Sequence, residues 1–128
     1  MRVAFAMSKP QEENNMITID KLNAFGADTE EGLARCFGNE ALYLKLVNMI
    51  CEEGNFEKLR SALDAGDLDA AFEAAHALKG VLGNLSLTPM YNKSVELTEL
   101  LRKRTQMDYT PTVDDLLKQK AELEALCR

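Results

Sequence analysis

Between Ala71 and Leu85 the apolar residues return every three or four positions: Ala71, Ala75, Leu78, Leu82 and Leu85. That spacing belongs to an α-helix with one face turned inward. The only histidine of the chain, His76, stands off this stripe. Each helical residue turns about 100°, so His76, Gly80 and Gly83 fall within roughly a 60° arc. Lys79 lies about 60° to the other side of His76, one turn along. The helix therefore carries an apolar stripe for the core and a barer strip that presents an imidazole to water.

The same period governs the rest of the sequence. Leu42, Leu46, Met49 and Ile50, then Phe56, Leu59 and Leu63, keep helical spacing. The polar turn Glu52-Glu53-Gly54-Asn55 interrupts them, and there the helix kinks or breaks. Ala65-Gly66-Asp67 reads as a helix stop followed by an N-cap, so the histidine helix is expected from about Leu68 to Ser86. Thr88-Pro89 reads as N-cap and first residue of a helix that runs to about Thr105. Thr112, with Asp115, is expected to cap a last helix with Val113, Leu116, Leu123 and Leu126 on its apolar stripe. Near the start, Thr18 to Phe25 reads as a short helix. Asp28 with Glu31 opens a second, whose apolar face is Leu33, Cys36 and Phe37.

No strand-like alternation and no internal repeat interrupts this pattern. Four long helices with short connections predict an all-α fold, an antiparallel up-down four-helix bundle. One or two short N-terminal helices would cap one end. At 128 residues the chain reads as one domain, residues 17–128, behind a flexible tail, 1–16, that ends in the polar run SKPQEENN.

Charge and cysteine usage narrow the function. A net charge of -6 with no basic stripe argues against nucleic acid and against an anionic membrane surface. No run approaches the roughly 20 apolar residues of a membrane span. Cys36, Cys51 and Cys127 are odd in number and form no C-x-x-C pair, so they are expected to be buried small hydrophobes rather than a disulfide framework. No secretory signal is expected. These readings describe a cytoplasmic, reduced, monomeric protein.

The two glycines beside the histidine need a cause, because each costs about 1 kcal/mol relative to alanine within a helix. Close packing inside the protein is one. Room for a large visitor to the imidazole is the other, and the placing of Gly80 and Gly83 on the His76 side favours it. Metal binding is not expected, since no carboxylate or thiolate follows His76 at three or four residues. No phosphate-binding glycine loop is present either, and no cofactor is expected.

His76-Ala77-Leu78-Lys79-Gly80 resembles the His-x-x-Lys-Gly signature of histidine-containing phosphotransfer (HPt) domains of bacterial phosphorelays. The likeness runs from about Leu42 to about Leu101. It includes the Gly66-Asp67 turn before the histidine helix and the rhythm of Met90, Ser94 and Leu97 after it. One departure is Ser86-Leu87, where the family usually has a Gly-Ala-like pair. The resemblance implies that His76 accepts a phosphoryl group through Nε2, its other ring nitrogen held by a hydrogen bond. Lys79 would supply countercharge. A receiver domain, or a hybrid histidine kinase, would be the partner and bring the phosphorylated aspartate and Mg²⁺. Gly80, Gly83, Leu87 and Met90 would form the docking surface. The chain would then be a carrier, not an enzyme. Two alternatives stand beside this reading: a module that binds a receiver or kinase without being phosphorylated, and the dimerisation and phosphoacceptor fragment of a histidine kinase. The residues after His76 lack the acidic neighbour and nearby proline of the kinase histidine box.

Overall fold

Most helices begin at a short polar side chain that takes up one of the backbone N–H groups left over at a helix start. In the computed structural model, which describes residues 16–127, Thr18 caps α1 (Ile19–Phe25) and Asp28 caps α2 (Thr29–Arg35). Asn39 caps α3 (Glu40–Met49) and Asp67 caps α5 (Leu68–Asn84). Between α3 and α5 lie a single 3₁₀ turn, Ile50–Glu52, and α4 (Asn55–Asp64). The polar stretch at Gly54 therefore breaks the helix rather than bending it. The expected tail falls almost wholly outside the described residues.

Two helix starts differ from expectation. The N-cap of α6 (Thr88–Arg102) is Leu87, with Thr88 and Pro89 already helical. α7 begins at Thr110 rather than near Thr112 and runs to Leu126. Pro111 suits its first turn, where an absent N–H costs nothing. The Asp108 carboxylate accepts the Thr110 N–H at 2.9 Å. This bond holds the Asp108 pKa below the usual carboxylate range.

α4, α5, α6 and α7 pack in sequence order as an all-helical up-down bundle. α4 meets α7 through an ion pair, Arg60 Nη2 to Asp114 Oδ1 at 2.6 Å. Lys120 also lies over the Phe56 ring, 5.4 Å from its centroid. Leu59, Leu78, Leu82, Leu97, Leu101, Leu116 and Leu123 are fully buried, and Leu22 of α1 and Tyr43 and Val47 of α3 join the same core. The predicted inner stripe of α5 is correct at every position: Ala71, Ala75, Leu78, Leu82 and Leu85 are all buried. The predicted face of α2 is not. Cys36 is buried, but Phe37 has φ 58° and is 95% exposed, because the chain turns left-handed there and swings the ring outward.

Tyr43 locks α3 to the end of α5. Its hydroxyl donates to the Leu85 carbonyl at 2.8 Å. Its ring lies against the backbone of α2 at Gly32, where a Cβ would stand 2.5 Å from the ring. Only glycine permits that approach. Burial, with smaller contributions from Cys36 and Asp28, raises the Tyr43 pKa to about 12.

Candidate functional site

His76 projects from the third turn of α5 into solvent. The helix places it there because its neighbours Ala75 and Leu78 take the inward stripe. The expected hydrogen bond to a ring nitrogen is missing: among the described residues neither nitrogen has a protein partner. Instead the ring stacks on Phe72, one turn earlier, with centroids 5.7 Å apart and planes inclined by 16°. The Phe72 ring in turn lies under two guanidinium groups from the end of α6. Arg102 Cζ is 5.1 Å and Arg104 Cζ 5.8 Å from its centroid. Both arginines are tethered: Arg102 Nε to Glu99 at 3.3 Å, and Arg104 to Asp69 and to the Leu101 carbonyl. A cation over an aromatic face contributes about 0.5–1 kcal/mol at an exposed site. The imidazole is thus oriented by stacking. The only sequence signal for this was Phe72 four residues before His76.

Lys79 is half-buried and makes no ion pair or hydrogen bond among the described residues. Its ammonium remains available to an incoming anion. It lines an open cleft of about 470 Å³ with Gly80, Gly83, Asn84, Arg35 and Tyr91. Arg35 is already paired with Glu31 at 3.8 Å. Lysine, glycine and cleft thus lie within two turns of His76 on the same helix.

The two glycines prove to have different causes. A Cβ on Gly80 would meet nothing within 4 Å. Among the described residues no contact calls for its bareness. A Cβ on Gly83 would stand 3.0 Å from Tyr91 Cε1, so this glycine makes room for a side chain of α6. Gly83 thus has a cause inside the protein, while it still lines the open cleft beside Lys79. Leu87 and Met90 need a larger correction as docking residues. Both are fully buried in the core and offer no surface. The cause lies at Ser86. The chain leaves α5 in a left-handed turn there, φ 56°. Ser86 N–H donates to the Gly83 carbonyl and Leu87 N–H to the Leu82 carbonyl, both at 3.1 Å, which closes the helix and turns Leu87 inward.

A serine in that conformation costs about 1–2 kcal/mol more than glycine. Local bonds offset it. The Ser86 hydroxyl donates to Glu31 at 2.7 Å and its carbonyl accepts the Asp28 N–H at 2.9 Å. The departure at Ser86-Leu87 therefore ends α5 two residues early and leaves the histidine face intact.

The bundle thus sets a solvent-facing imidazole, an ammonium with no protein partner among the described residues, and an exposed glycine along one helix. In a comparison with family models, residues 51–128 match the Hpt domain. The match spans well over half of the chain, so the protein belongs to the Hpt domain family, whose members carry phosphoryl groups in phosphorelays and are not themselves catalysts. Searches of curated proteins and of solved structures found no match. No helix among the described residues is long and apolar enough to cross a membrane.

Proposed function

We propose that His76 is the phosphoacceptor of a cytoplasmic phosphorelay. It takes the phosphoryl group from a receiver-domain aspartate, or from a hybrid kinase, and passes it to the aspartate of another response regulator. Residues 17–128 are the unit that does this. The observation that carries the reading is the open face at His76: an exposed imidazole one turn from Gly80, where an added Cβ would meet no described residue within 4 Å.

The transfer follows from that face. The Nε2 lone pair attacks phosphorus in line. The phosphorus–nitrogen bond forms as the acyl phosphate bond breaks, and the aspartate leaves as carboxylate. The return step reverses these bonds. Phe72 holds the ring so that rotation about the side chain is limited during approach. Lys79 offsets the roughly two negative charges of the phosphoryl group. Its contribution is about 1 kcal/mol per unit charge in water and up to about 4 once a partner covers the site. In-line positioning and metal-assisted charge neutralisation belong to the receiver, which brings Mg²⁺. Docking then centres on Gly80. Its apolar flank is the groove between Leu46 and Met49 of α3 and Val81 of α5, where Met49 is 58% exposed.

Incubation with a labelled, phosphorylated receiver domain tests the proposal. Label should enter the protein, survive alkali, be lost in acid and fail to appear in His76→Gln. Lys79→Ala should still accept label, several-fold more slowly or with a shorter-lived product. Equal labelling of His76→Gln would end the proposal, and binding of the receiver without labelling of the parent chain would favour the non-phosphorylated module.

A further inference from the structure

Cysteines 76 positions apart in sequence meet in the fold. Cys51 lies in the 3₁₀ turn after α3, and Cys127 follows the last turn of α7. Their Sγ atoms are 3.9 Å apart. The expectation of buried thiols holds fully for Cys36 only; Cys51 and Cys127 are partly buried. Both line one open cleft with Lys45, Asn48, Met49 and Glu124, so a solute can reach them.

A disulfide requires sulfurs about 2 Å apart and tolerates a range of Cα separations. These two thiols stand 3.9 Å apart, so closure asks the sulfurs to approach by about 2 Å at the end of a helix. We propose that Cys51 and Cys127 form a redox-active dithiol that is oxidised by small disulfides of the glutathione class. One cysteine thiolate attacks a sulfur of the small disulfide, forming a mixed disulfide and releasing one thiol. The other thiolate attacks the protein sulfur of that mixed disulfide. The Cys51–Cys127 bond forms and the second small thiol leaves, so two electrons and two protons pass from the protein to the reagent. The new bond ties the 3₁₀ turn to α7. The same turn borders the groove against Val81 and Leu85 of α5, so oxidation restrains one wall beside the histidine helix. The dithiol stands on its own geometry and not on phosphotransfer.

The full chain, equilibrated with mixtures of reduced and oxidised glutathione and then alkylated, provides the test. Before alkylation the expected product is two hydrogens lighter than the reduced chain and carries no glutathione. It should contain a peptide pair linking Cys51 to Cys127, with Cys36 alkylated. Its melting temperature should rise by roughly 10 °C, because the bond closes a long loop. Cys51→Ser and Cys127→Ser should stop at the mixed disulfide, while Cys36→Ser should behave as the parent. Stable glutathione adducts on the parent chain without a cross-link would overturn the proposal. So would a link through Cys36, a link between two chains, or no reaction in excess oxidised glutathione.

Discussion

The two halves of α5 are built from similar residues and meet different surroundings. From Phe72 to Gly80 the outer face is open: the exposed His76 stacks on one ring, and no described residue would meet a Cβ at Gly80. From Gly83 to Leu87, across the end of the helix and the turn after it, Gly83, Leu85 and Ser86 are held by other elements. Tyr91 covers Gly83, Tyr43 holds the Leu85 carbonyl, and Glu31 and Asp28 hold Ser86. One helix thus serves as anchor at its end and as exposed platform in its middle. Changes in the closed half should alter stability, and changes in the open half should alter transfer.

The largest expected effect lies in the closed half and depends on pH. The folded Tyr43 pKa, about 12, is above the ordinary tyrosine value of 10, so the fold favours the neutral phenol. That stability is fully present below about pH 10 and is lost as pH rises through 12. Each pKa unit is worth about 1.4 kcal/mol, so the loss approaches about 3 kcal/mol. Urea unfolding at stepped alkaline pH should show it, and Tyr43→Phe should lack that part of the decline. An identical alkaline decline in both chains would remove Tyr43 as the anchor of this half.

Gly32→Ala comes next. The new methyl would drive into the Tyr43 ring and displace its hydroxyl from Leu85. Overpacking and the lost bond, less the helix propensity regained, give a net loss of about 2 kcal/mol. Calorimetry should find a fall of roughly 5–10 °C in melting temperature. An unchanged melting temperature would mean that this contact has slack.

The open half should respond in rate. Gly80→Leu should leave the melting temperature equal or higher and slow transfer from a phosphorylated receiver at least tenfold, about 1.4 kcal/mol of barrier. Full-speed transfer would show that the bareness at Gly80 serves no partner. The smallest effect sharpens the same contrast. Gly80→Ala should stabilise by about 1 kcal/mol, the usual gain for alanine in a helix. Gly83→Ala should gain much less, because Tyr91 must give way. Equal gains measured in denaturant would erase the distinction between the two halves.

Periodicity made the inner stripe of α5 legible, and cap chemistry located α2 and α5 through Asp28 and Asp67. Both signals are local: each depends on residues within a turn or two. The motif around His76 was legible for the same reason. What escaped depends on how distant segments meet. Gly80 and Gly83 look alike in sequence, and only the register of α6 against α5 sets Tyr91 on one of them. Leu87 and Met90 follow the histidine closely enough to suggest a shared surface, yet a left-handed serine turns them inward. The placing of Arg102 and Arg104 over Phe72 and the meeting of Cys51 with Cys127 likewise arise from packing, which a one-dimensional pattern does not contain.

The most direct measurement is to locate the phosphoryl group. The protein should be phosphorylated by a receiver domain, digested without exposure to acid, and its phosphopeptides sequenced by mass spectrometry. The expected result is one phosphorylated residue, His76, with the modification on the ring nitrogen farther from the backbone. Phosphate found on any other side chain, or none on a chain that binds the receiver tightly, would contradict the assignment of this imidazole as the carrier.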